Sequence, residues 1–122
     1  MLEGTPMIID GMDEGTQVLF KCWYGKNDIV NLWYSKLTHI VEYVNSGFIP
    51  SFITAGNTAC YPKDSLELKN KLEELRVDYS YCYWDREVEE LKHGYMSSFE
   101  TSEHAKMALD QSIEFVKRKV EQ

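Results

Sequence analysis

No apolar run in this 122-residue sequence approaches the ~20 residues that a bilayer-spanning helix needs. The opening MLEGTPMIIDGMDEG lacks the basic start and continuous apolar core of a secretory leader. Both absences point to a cytoplasmic protein with no membrane partner. Positive charge is scarce as well: 13 Lys and Arg stand against 20 Asp and Glu, for a formal net charge of -7. A nucleic-acid binder needs a basic face to displace counterions from phosphates. The one basic cluster, Lys117, Arg118 and Lys119, falls near a helix end, where cations suit the helix dipole. Nucleic acid is therefore not an expected partner. Cysteine is limited to Cys22, Cys60 and Cys82, an odd number without C-x-x-C spacing, which reads as reduced thiols. His39, His93 and His104 form no ligand-spaced cluster with them, so neither a zinc site nor another cofactor is expected.

What is present is a globular composition, 43% hydrophobic and 27% charged, in a chain of single-domain length. Met7, Ile8 and Ile9 fit a short strand closed in by Pro6 and Gly11. Leu19, Cys22 and Trp23 at i, i+3, i+4 predict a helix from Glu14 to Tyr24, ended by Gly25. Ile29, Leu32, Trp33, Leu37, Ile40, Val41 and Val44 predict a second helix from Asp28 to Val44, capped by Asn27 or Asp28 and stopped by Ser46-Gly47 and Pro50. SFITA, Ser51 to Ala55, is short and rich in strand formers. Leu68, Leu72 and Leu75 predict a helix from Asp64 to Leu75, with Asp64 as N-cap and Glu67 closing a capping box. VDYSYCYW, Val77 to Trp84, is dense in aromatic side chains and predicts a strand. Tyr79, Tyr81 and Tyr83 fall on one face of it, Cys82 and Trp84 on the other. Finally, Ala105, Leu109, Ile113, Val116 and Val120 share one stripe and predict a helix from Ser102 to Val120.

Strand, helix and strand within about 35 residues make a βαβ unit with a right-handed crossover. The predicted class is α/β. Two or three strands are few for a parallel sheet, which normally lies inside a larger one with both faces covered. The chain reads as the edge of such a sheet, completed either by a copy of itself or by a missing N-terminal half.

Ligands of open α/β sheets collect at the carboxyl ends of the strands. Here those ends lead into Gly56 to Tyr61 and into Asp85 to Met96, which contains His93. The segments GFIPSFITAGN (Gly47 to Asn57), YPKDSLELKNKLEEL and LKHGYMSSFETSEHAKMALDQSIEFVKRKV resemble the C-terminal part of α/β-hydrolase-fold esterases and lipases of the acetyl-esterase or carboxylesterase type. WYGKND, Trp23 to Asp28, is similar to their helical cap region. The resemblance implies a partial α/β-hydrolase-like sheet within a single domain, residues 1–122. Residues 1–46 would be a cap-like helical segment, and 47–122 the C-terminal strand-helix-strand-helix.

It also implies that His93, in LKHGY, holds the position of the catalytic histidine, a general base toward a serine and then a general acid. The acid of the triad would lie in the turn after SFITAGN. Ala59 stands about where it is expected, with Asp64 and Asp85 as the nearest substitutes. The Gly-x-Ser-x-Gly elbow of the fold is missing. The nearest match is GMDEG, Gly11 to Gly15, with Asp13 at its centre, and an acidic loop opening a helix is the stronger reading of it. A Cys60–His93 thiolate-imidazolium pair is a local alternative, against the ordinary role of cysteine as a small buried hydrophobe. Two functions are expected from these features. One is a truncated relative of a carboxylic-ester hydrolase, catalytically incomplete alone. The other is a non-catalytic, homo-oligomeric binding module derived from an esterase.

Overall fold

The computed structural model describes residues 14–25, 39–59 and 61–121. Helix α1 (Glu14–Tyr24) ends where Gly25 turns left-handed at φ 63° and its amide bonds the Lys21 carbonyl at 2.8 Å. Of the predicted Asp28–Val44 helix, residues 28–38 lie outside the described residues. Its remainder is a short 3-10 helix, Ile40–Tyr43, which buries Val41.

Strands β1 (Ser51–Thr54) and β2 (Tyr79–Cys82) pair in parallel, Ser51 opposite Tyr79 and Thr54 opposite Cys82. Helix α2 (Tyr61–Glu74) makes the crossover between them. It begins three residues earlier than the capping-box reading placed it. Pro62 suits a first helical turn, where its missing N–H costs nothing, and Asp64 therefore sits inside that turn instead of capping it. β2 is shorter than VDYSYCYW, because its only described partner strand is four residues long.

The two faces of this small sheet are covered differently. Ile53, Leu72, Val77 and Val44 form one core cluster beneath α2, with Tyr79 and Tyr81 packed against it. Cys82, Leu91, Tyr95, Met96, Ala105 and Ala108 form the other, beneath helix α3 (Glu103–Val120) and a 3-10 turn at Tyr95–Ser98. The predicted alternation thus holds over the part these clusters place: Tyr79 and Tyr81 face α2, Cys82 and Trp84 face α3.

Ser102 caps α3, its hydroxyl accepting the Ala105 amide at 3.1 Å. Of the apolar stripe read in the sequence, only Ala105 is fully buried. The helix buries Ala105, Ala108 and Phe115, while Ile113, Val116 and Val120 are exposed. Small alanines allow close approach to Tyr95 and Met96, and Phe115 reaches the Phe52 ring at 6.1 Å, which sets the helix's rotation. Among the described residues the architecture is mixed α/β, with three α-helices and a two-stranded parallel sheet. No helix among them is long and apolar enough to cross a membrane.

Candidate functional site at the strand carboxyl ends

β1 and β2 run parallel, so their carboxyl ends open on the same side, and the loops beyond them meet there. The joint is Gly56-Asn57. The Asn57 amide donates to the Leu91 carbonyl at 2.8 Å, and its side-chain oxygen accepts the Leu91 amide at 2.8 Å. Its side-chain nitrogen donates to the carbonyls of Trp84, at 3.1 Å, and Glu89, at 2.7 Å. One buried asparagine thus satisfies four main-chain partnerships across two loops. Gly56 permits the approach: a Cβ there would lie 2.6 Å from both the Leu91 and Lys92 carbonyl oxygens. Glycine is required here by contact and not by backbone angle.

This joint brings the His93 loop against the start of α2. The His93 ring stacks on Tyr61, with centroids 4.6 Å apart and planes at 14°. His93 is exposed. Among the described residues no carboxylate hydrogen-bonds its ring. Ala59 lies exposed in the facing loop at φ 54°, a region that favours Asn and Asp over alanine. Asp64 is in the first turn of α2, and Asp85 is exposed at the start of the turn that leads to Val88. Cys60 and Asp13 lie outside the described residues.

A cleft of about 220 Å³ opens beside this loop, lined by Glu89, His93, Tyr95, Ser98 and Ser102 among others. At its edge the His104 Nδ1 donates to the Glu89 carboxylate at 2.6 Å, and the imidazole sits edge-on to Trp84 at 5.1 Å. Hydrogen bonds from His104 and then Ser102 hold the Glu89 carboxyl below its ordinary range. Beneath the cleft, Tyr95 and Thr54 share a hydrogen bond of 2.5 Å between their hydroxyls. Burial pushes the Tyr95 phenol up to about 12, against the opposing Thr54 bond. Burial likewise raises the Cys82 thiol, again against Thr54. These two groups stay neutral and serve packing; a raised thiol is a poor nucleophile. His39 bridges Glu42 and, on α2, Glu67, at 3.0 and 2.6 Å. The described residues contain no cluster of three or more His, Cys, Asp or Glu able to hold a metal.

Reading the sequence picked out His93 and the two loops, but gave Asn57 no role. The available signal was an Asn directly after a Gly at a strand end, a side chain that commonly ties loop backbone. The His104–Glu89 pair spans 15 residues and left no periodic trace. No family model, no curated protein and no solved structure matches this chain.

Proposed function

We infer that this chain is a truncated relative of carboxylic-ester hydrolases of the α/β-hydrolase type, presenting the histidine-bearing strand end of a larger sheet. The observation that carries the reading is the Asn57 joint, which sets the His93 loop beside the loop after β1, with the His93 ring on Tyr61. In a complete site of this kind the histidine takes the proton of a serine hydroxyl as that oxygen attacks the ester carbonyl. It then returns the proton to the departing alkoxide, while an acid on the far ring nitrogen steadies the imidazolium.

Here the acid position holds Ala59, and no carboxylate among the described residues reaches His93. Together with the missing Gly-x-Ser-x-Gly elbow, this supports a chain that is catalytically incomplete alone. The same observation favours a second reading, a cytoplasmic, non-catalytic module that kept the esterase scaffold and works as an oligomer. Hydrolysis of p-nitrophenyl acetate separates these readings from an active enzyme. The purified chain and His93→Ala should both give the buffer rate. Robust hydrolysis that is lost in His93→Ala would overturn both readings and return Asp13 or Cys60 as nucleophile.

A further inference from the structure

Helix α3 carries more apolar surface than its own fold uses. Ala105, Ala108 and Phe115 face the core, yet beside them runs a second row: half-buried Leu109, then Ile113, Val116 and Val120, which are 43%, 56% and 79% exposed. The row repeats at intervals of four, three and four residues, the spacing of a coiled-coil seam. A surface row of this kind, left wet, marks an interaction site.

The charges that border the row say what covers it. If Leu109 and Val116 take the d positions and Ile113 and Val120 the a positions, Asp110 and Lys117 both fall at e. In an antiparallel pair of identical helices, e positions face e positions. Leu109 then layers with the partner's Val120, and Ile113 with the partner's Val116. That register sets Asp110 opposite the partner's Lys117, and Lys117 opposite the partner's Asp110. The border is self-complementary under a two-fold axis, as an isologous interface requires. A parallel pair would leave this border without such a match. Asp110 has no ion pair among the described residues. Lys117 meets only Glu114 on its own helix, at 2.9 Å, with both side chains mostly in water, a contact easily exchanged.

We propose that α3 pairs antiparallel with α3 of a second copy of this chain, sealing Leu109, Ile113, Val116 and Val120 in a two-fold dimer with reciprocal Asp110–Lys117 ion pairs. This deepens the oligomeric reading above and rests on it. It makes no use of His93, so the ester assay and the dimer fail independently.

Sedimentation equilibrium on the full chain, from low to high micromolar concentration, tests it, with circular dichroism to confirm that each variant stays folded. The wild type should approach twice the monomer mass. Ile113→Glu, on an exposed position, should remain monomeric at the same concentrations. Asp110→Lys alone should weaken the dimer by an order of magnitude or so, by placing like charges together. Combining it with Lys117→Asp should restore the dimer, because every pair is again opposite in sign. A monomeric wild type would overturn the proposal. So would a dimer that ignores Ile113→Glu, or one that Ile113→Glu dissolves but that the charge swap leaves unrescued.

Discussion

Glu89 holds two parts of the molecule at once. Its carbonyl accepts the Asn57 side chain, and its carboxylate accepts His104 at the start of α3. Loss of its charge loosens the second link. Because the Glu89 pKa is depressed below 4.5, its contribution is fully present above that value and is lost as pH falls through the folded value. His39 behaves in the opposite sense. Partial burial disfavours its charge, but hydrogen bonds to Glu67 and Glu42 outweigh this and raise its pKa above 6.5. Both ring nitrogens donate to carboxylates, which only the imidazolium can do. Its contribution is fully present below 6.5 and is lost as pH rises through the folded value. Urea midpoints measured against pH should therefore fall off on both sides of the interval between these two values. Glu89→Gln should flatten the acid limb, and His39→Gln the alkaline limb. A limb that keeps its shape in the matching variant would contradict the assignment. Neither the Glu89–His104 pair nor the His39–Glu67 pair was legible in sequence, since each forms across the fold; only His39–Glu42 lies at i, i+3.

Among the elements, α2 closes with a device that its sequence conceals. The Val77 amide bonds the Leu72 carbonyl at 2.9 Å, and the Arg76 amide bonds the Glu73 carbonyl at 3.1 Å. Arg76 sits left-handed at φ 56°, and Leu72 and Val77 meet in the core cluster. This is the two-bond helix stop that glycine usually occupies, its apolar contact included. An arginine bears steric strain there. Arg76→Gly should raise stability by about 0.5–1 kcal/mol in urea denaturation, and a loss would show that the exposed guanidinium contributes more than the strain costs. Strongly periodic elements were legible: α1, the β1–α2–β2 order and α3 all appear where their patterns lie. The beginning of α2 was misread because a capping-box pattern can occur inside a first turn. The buried side of α3 was not legible because two apolar rows adjoin, and composition alone does not say which one the core takes.

At the scale of the whole molecule, the described residues make a short parallel sheet covered on both faces, its strand-end loops joined chiefly through Asn57. Both strands keep an outer edge with no partner among the described residues. The fold class was legible because the βαβ order is carried by local patterns. The joint was not, because a buried asparagine is defined by contacts 27 to 34 residues away. Most depends on that joint, and amide hydrogen exchange in the wild type and in Asn57→Ala tests it directly. The wild type should protect the Leu91 amide. Asn57→Ala should cost about 3 kcal/mol in urea, from buried groups left unpaired, and should release exchange at Leu91 and through residues 89–95 while the middle of α3 stays protected. Equal exchange at Leu91 in both proteins would mean that Asn57 does not bind the two loops together, and the site would lose its frame.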